Sequence, residues 1–175
     1  MVEYRPDDEI RIPVAVLHAL SEAADRDGEA VAAAVRDAGR AAGDDIARRI
    51  ARAVALPELD AVDFWSAVNA ETGARGLGTF EWERGIGGHA EILVHGSPDG
   101  PDPDRPLTID FEAPFTEGLI EGLLGATAEE TVAAVRAPFD GGTGIRFVIG
   151  SPVLLRHIRL RLQSGATLDQ ALEGI

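Results

Sequence analysis

The spacing of apolar residues changes from a helical to a strand period at one place in this chain, the glycine-rich stretch Gly73–Gly78. Before it, apolar side chains recur every three or four residues, as on one face of a helix. After it, Phe80 and Trp82 alternate with glutamates, which is the period of a half-buried strand. Helical and strand-like segments are therefore segregated, which predicts an α+β fold with helices on one face of an antiparallel sheet.

Helical spacing predicts three helices ahead of this stretch. The first covers roughly Pro13–Ala24, the second Glu29–Ala55, and the third begins at the N-cap Asp60 and closes at Gly73.

A stripe of small residues, Gly39, Gly43 and Ala47, lies along the second of these helices. Glycine inside a helix costs about 1 kcal/mol relative to alanine, so two at this spacing indicate close approach by another element. We expect that element to be the same helix of a second copy, which makes the chain a homodimer.

The alternating pattern predicts strands over Leu77–Arg84 and His89–His95, joined by a hairpin turn, and further strands over Leu107–Phe111 and Ile145–Ile149. An exposed loop, Ser97–Pro106, precedes the third strand. Residues 127–138 are ambiguous: a Thr-x-x-Glu capping box favours a helix, and the valines that follow, ahead of a proline, permit a strand. The sheet should therefore have four to five strands.

The remaining segments are predicted to be helical. One helix covers Pro114–Gly125, another follows the Ser151 cap to about Gln163, and a short one follows Thr167. We find no internal repeat or long linker, so residues 1–175 should form a single domain.

Composition restricts the class of protein. The chain has no cysteine, and its formal net charge is −14, which repels phosphate backbones and anionic membranes. No apolar run approaches the roughly 20 residues that span a bilayer, and the first residues lack a signal-peptide pattern. We expect a soluble, cytoplasmic protein that binds no nucleic acid.

No catalytic motif is present. No serine stands in a nucleophile elbow, the four histidines lack metal-ligand spacing, and the glycine loop at 85–88 precedes a strand rather than the helix that a phosphate site requires. We therefore expect no catalytic residue, no cofactor and no metal, and a protein that is not an enzyme.

Aromatic residues make up only 5% of the chain, so their positions are informative. They are either ordinary core residues or the lining of an apolar pocket between helices and sheet. For the pocket, the sequence offers seven ligand-binding candidates, with the histidine as the polar anchor: Phe64, Trp65, Phe80, Trp82, His89, Phe111 and Phe115.

Basic residues concentrate on the helix after Ser151, where Arg156, Arg159 and Arg161 accompany His157. Two interpretations remain open. The charges complement the helix dipole and nearby acids, or they form a docking surface for an acidic protein partner.

Four segments in fixed order carry a family resemblance: AGRAAGDDIARRI, GLGTFEWERGIGGHAEILVHGSP, TIDFEAPFTEGLIEGLLG and VAAVRAPFDGGTGIRFVIGSP. They resemble the 4-vinyl-reductase (4VR) domain family, a branch of the TRAPP-like fold that also resembles ligand-binding domains in NO signalling. The resemblance covers about residues 29–152 and leaves residues 152–175 as extra C-terminal helices. It implies a hydrocarbon-binding or small-molecule-binding domain, often dimeric, that senses aromatic compounds in regulators and accompanies vinyl reduction in tetrapyrrole synthesis.

The chain departs from that family at its zinc site. The positions of a glutamate and two cysteines fall on Ala134, Ala137 and Ile145, and that of a further cysteine falls near Ile109. None of these side chains binds zinc. We therefore predict a non-catalytic domain that binds an apolar small molecule and acts through a protein partner. The alternatives are a dimerisation scaffold without a ligand, or an accessory protein of tetrapyrrole vinyl reduction.

Overall fold

A computed structural model describes residues 28–83, 89–96, 114–127, 131–139 and 144–173, together with residues 16, 19, 20, 23 and 26. These five isolated residues are helical, and four of them lie in the first predicted helix. The predicted hairpin turn, the loop at 97–106 and the strand at 107–111 lie outside the described residues.

Five helices follow in the described part: α1 Glu29–Ala53, α2 Ala61–Ala74, α3 Pro114–Gly125, α4 Pro152–Gln163 and α5 Leu168–Leu172. The predicted caps are confirmed. Asp60 accepts a hydrogen bond from the Asp63 N–H, Ser151 caps α4, and Thr167 forms a capping box at α5. The α1 helix ends two residues earlier than predicted because Val54 is extended and a 3₁₀ turn follows at Leu56–Glu58.

Four strands form one antiparallel sheet in the order β1-β2-β4-β3: β1 Thr79–Glu83, β2 Ala90–His95, β3 Ala133–Ala137 and β4 Ile145–Gly150. The α+β class is thus confirmed. The ambiguous segment contains a strand, since the β3 backbone pairs with β4 from Ala133 opposite Gly150 to Ala137 opposite Arg146.

Helices cover both faces of the sheet, not one as expected. On the first face, α1, α2 and α3 pack over the fully buried Ile92, Val94 and Phe147. On the second face, α4 and α5 pack over β3 and β4 around Val148 and Ile158. The second layer exists because α4 carries its own apolar stripe, which the β3–β4 half of the sheet buries.

The small-residue stripe of α1 packs against α3 of the same chain. A Cβ atom on Gly39 would lie 2.0 Å from the carbonyl oxygen of Phe115, and one on Gly43 would lie 2.1 Å from that of Leu119. The α3 glycines reciprocate, because a Cβ atom on Gly122 would lie 2.1 Å from the Arg40 oxygen. The expected pairing of this stripe with a second copy is therefore wrong, since α3 occupies it.

Within the described residues, none of the helices combines the length and the apolar character that crossing a bilayer requires.

Candidate functional site

Three aromatic rings meet between α2 and β1. The rings of Phe64 and Trp65 lie edge to face with centroids 5.2 Å apart, and those of Trp65 and Phe80 lie nearly parallel at 6.1 Å. All three side chains are at least nine-tenths buried. We call Phe64, Trp65 and Phe80 the ring cluster; it lies at the β1 edge of the first sheet face.

The fourth buried candidate is Phe115, in the first turn of α3. It belongs to the same hydrophobic core as the ring cluster and is 5% exposed. Its backbone carbonyl lies against Gly39, so the close α1–α3 contact positions this side chain.

The remaining candidates do not join the ring cluster. Trp82 shares a sheet face with Phe80 but is 38% exposed near the end of the edge strand. His89 lies beside Glu91, with 3.8 Å between Nε2 and Oε1, and the strand alternation places both on the second face. Phe111 lies outside the described residues.

Asn69 connects the two elements that carry the rings. Its Oδ1 accepts a hydrogen bond from the backbone N–H of Phe80 at 2.6 Å, and its Nδ2 donates to the Phe80 carbonyl at 2.9 Å. The side chain thus acts as a strand partner for the outer edge of β1. Sequence reasoning missed it, although its place four residues after Trp65 puts it on the same face of α2.

A second cluster is ionic and lies at the other edge of the sheet. Glu117 and Glu121 of α3 are 1% and 6% exposed. Arg36 of α1 binds both, contacting an oxygen of each carboxylate with its terminal nitrogens and donating from Nε to Glu121 Oε2 at 3.1 Å. We call these three residues, with Arg40 and Arg159, the ionic cluster.

Further donors satisfy the two carboxylates. Arg159 of α4 donates to Glu117 at 3.1 Å, and Arg40 donates to Glu121 at 2.7 Å. The β3 strand contributes the backbone N–H of Arg136 to Glu117 and that of Ala134 to Glu121. The cluster therefore ties α1, α3, α4 and β3 together.

Sequence reasoning missed the ionic cluster. The signal was two carboxylates at i, i+4 in the otherwise apolar α3 helix, where they share one face.

The electrostatics of Glu121 follow from these contacts. Burial acts to raise the pKa of the carboxyl group. Four contacts act in the opposite direction: the hydrogen bonds from Arg36, from the Ala134 N–H and from Arg40, and the positive charge of Arg36. Together they outweigh burial and hold the pKa of Glu121 below its ordinary value of 4.5.

A cleft of about 260 Å³ opens between β3 and the first half of α4. Its lining combines three arginines with apolar side chains: Arg36, Arg156, Arg159, Ala133, Ala134, Pro152 and Leu155.

The arginines of α4 have different roles. Arg159 pairs with Glu117, and Arg161 donates to the Gln170 and Glu173 carbonyls at the end of α5, at 2.6 and 2.9 Å. The contacts of Arg159 and Arg161 therefore fit the first interpretation, in which these charges complement neighbouring groups of the same chain. Arg156 is exposed and, among the described residues, has no ion pair.

No group of three or more His, Asp or Glu side chains that could hold a metal ion occurs in the part of the chain that the structure describes.

Comparison with known proteins gives the fold. No family model and no curated protein sequence matches the chain. Among solved structures, it is similar to the phenol-responsive sensory domain of the transcription activator PoxR, crystallised with phenol. The TM-score is 0.58 at 15% sequence identity, and the match covers 90% of this chain and 82% of that one. A likeness at this identity shows a shared architecture.

Proposed function

We propose that this chain is a non-catalytic sensory domain that binds a small apolar aromatic compound and acts through a protein partner. The observation that carries the proposal is the ring cluster, which occurs in a fold shared with a phenol-responsive sensory domain. The segment resemblance to the 4-vinyl-reductase family supports the same class of ligand.

The ligand would bind beside the ring cluster. Trp65 and Phe80 are within contact distance of each other, so the ligand lies against their edges and not between them. Aromatic pairs add roughly 0.5–1.5 kcal/mol to the gain from area burial.

Asn69 is the polar anchor that we propose in place of His89, because it lies beside the rings. One amide N–H serves Phe80, and among the described residues the second has no partner and would donate to a phenolic oxygen.

The expected affinity is modest. An apolar ligand that buries about 200 Å² gains about 5 kcal/mol before entropy losses. The dissociation constant should therefore be about 0.2 mM or weaker, with phenol tighter than toluene because only phenol can accept the Asn69 hydrogen bond.

The test uses the two tryptophans separately. In Trp82→Phe, Trp65 is the only tryptophan, and its fluorescence should change saturably with phenol and more weakly with toluene. In the matched variant Trp65→Phe, Trp82 should respond little, because it is outside the ring cluster. An equal response of both single-tryptophan proteins, or none from Trp65 with phenol, toluene or a fatty acid, would rule out this site.

A second candidate function is a dimerisation scaffold. The observation that favours it lies on α4, where Val153 and Leu160 are 83% and 61% exposed on one helix face. Exposed apolar side chains of this size at i, i+7 fit an interface with a second copy or with a partner protein.

A further inference from the structure

The two edges of the sheet differ in how completely side chains cover their backbone groups. We propose that the outer edge of β1 is a docking site for an extended, positively charged segment of a partner protein, and that Asn69 is a removable cap on this edge. The docking site does not depend on the proposed aromatic site. Its control by a ligand rests on the proposed function.

The edge formed by β3 is sealed. The outward N–H of Ala134 donates to Glu121 at 3.0 Å, and the carbonyl of the same residue accepts a hydrogen bond from Arg36 at 2.9 Å. The N–H of Arg136 donates to Glu117 at 2.9 Å. A partner strand could pair here only by displacing two buried carboxylates, so this edge is closed to docking.

The edge formed by β1 is covered only in part. Phe80 and Trp82 direct their N–H and C=O groups away from β2, because these groups alternate in direction along a strand and Asn69 binds both groups of Phe80 from the outer side. Among the described residues, no side chain caps the backbone of Trp82, and its own side chain is 38% exposed. An incoming strand can therefore pair with Trp82 directly, and with Phe80 once Asn69 moves aside.

Charge determines which kind of strand fits this edge. Glu81 and Glu83 of β1 are exposed and share the second face of the sheet. Glu83 lies directly opposite Glu91 of β2, where like charges repel, and within the described part of the chain it has no cationic partner. A strand with basic side chains at alternate positions would place a cation beside each exposed glutamate and its other side chains beside Trp82.

A second copy of the chain does not fit this edge. In the antiparallel registers that use Trp82, two β1 strands would bring glutamates of one copy opposite glutamates of the other. The chain as a whole repels its own kind, since its net charge is −14. The occupant is therefore a segment of a different protein, and its docking leaves α4 available for the predicted homodimer.

Asn69 also connects this edge with the ring cluster. Its Nδ2 donates one N–H to the Phe80 carbonyl, and the proposed function assigns the other N–H to a phenolic ligand. A ligand that binds only the capped arrangement stabilises it, and by reciprocity a strand that displaces Asn69 weakens ligand binding. We therefore expect the ligand and the partner segment to oppose each other.

The probe is a blocked peptide of alternating lysine and valine, titrated into the full chain while NMR follows the amide signals of Phe80 and Trp82. We expect saturable shifts of both signals. The same peptide with N-methylated valines keeps its charge but cannot donate to a strand at those positions, so it should cause none. Asn69→Ala should tighten peptide binding about tenfold, because no cap has to be displaced. The matched control Ser66→Ala, at an exposed position of the same helix, should leave the affinity unchanged.

Two comparisons test the charge and the ligand control. Glu83→Gln should weaken peptide binding about threefold, because a cross-strand ion pair is lost. Glu58→Gln makes the same change in net charge at the exposed 3₁₀ turn and should have no effect. Saturating phenol should weaken peptide binding in the wild type but not in Asn69→Ala.

Several results would overturn the docking site: equal binding of the N-methylated peptide, equal affinities of Asn69→Ala and Ser66→Ala, or tighter binding of a glutamate–valine peptide. If Asn69→Ala does not fold, the wild-type shifts and the Glu83→Gln comparison decide it.

The fluorescence of Trp65 measures phenol binding separately, so the two proposals can fail independently. A chain that binds phenol but not the peptide refutes the docking site alone. A chain that binds the peptide but not phenol refutes the proposed function and, with it, the ligand control. Peptide affinity that saturating phenol leaves unchanged in the wild type refutes the ligand control alone.

Discussion

At the residue scale, the two buried carboxylates of α3 determine how the helical layers meet the sheet. Each accepts a backbone N–H of β3 as well as arginine donors, so neither is left as an unpaired buried charge. Removing one partner of such a pair costs about 3 kcal/mol or more, since the remaining charges stay buried. Glu121→Gln should therefore destabilise the fold at neutral pH.

That cost should depend on pH. The pKa of Glu121 is depressed in the folded protein, so the unfolded chain binds more protons and the carboxylate stabilises the fold above pH 4.5. This contribution is lost as pH falls through the folded pKa. In urea unfolding, the difference in free energy between wild type and Glu121→Gln should be largest near pH 7 and should shrink below pH 4.5.

The control is Glu58→Gln, at an exposed position in the 3₁₀ turn. The difference in unfolding free energy between Glu58→Gln and wild type should stay small both near pH 7 and below pH 4.5. A Glu121→Gln difference that does not change with pH would contradict the assigned contacts. If that variant fails to fold, NMR titration of the Glu121 carboxyl carbon in the wild type gives the same answer.

At the element scale, α1 and α3 contact through their backbones, which only glycine allows at this distance. Gly43→Ala would place a Cβ atom 2.1 Å from a backbone oxygen, so the helices must separate. We expect a loss of about 3 kcal/mol in unfolding free energy. Gly73→Ala in α2 is the matched control: nothing lies within 4 Å of its Cβ position, so it should stabilise by roughly 0.5–1 kcal/mol. Equal effects of the two substitutions in chemical denaturation would contradict the packing.

Local sequence patterns predicted the individual helices and strands well. They predicted poorly which of these elements pack against or pair with one another. The α3 helix covers the predicted residues, and the alternation in β2 correctly predicted that Ile92 and Val94 are buried. Both predictions depend only on the spacing of apolar residues within one segment of the chain. The helix that packs against the small-residue stripe of α1 could not be assigned from sequence. The stripe indicates that some element approaches closely, but it does not say which one. Residues 127–138 stayed open because strand pairing with β4 outweighs the local helix signal.

The candidate site was predicted in part for the same reason. Phe64, Trp65 and Phe80 were named from sequence, and the structure brings them together. Asn69 was missed because its role depends on an edge strand eleven residues away. His89 was grouped with the rings by its position in the chain, but its side chain lies beside Glu91.

At the scale of the whole molecule, the homodimer remains a prediction. The interface that we predict for it now lies on α4, since α3 of the same chain occupies the stripe on α1. Light scattering at micromolar concentration should give twice the chain mass of 18.5 kDa. Leu160→Asp should shift the population to single chains, because burying an unpaired charge in an apolar interface is costly. Val62→Asp, on the exposed face of α2, should not. A wild-type mass of one chain would exclude the scaffold function.

The central claim is that this domain binds a small aromatic compound. Calorimetric titration of the wild-type chain with phenol at two temperatures tests it most directly. We predict a saturable one-to-one isotherm with a dissociation constant of roughly 0.1 mM to several millimolar, and a negative heat-capacity change from apolar burial. Heats that never saturate at either temperature, up to the solubility limit of phenol, would contradict it.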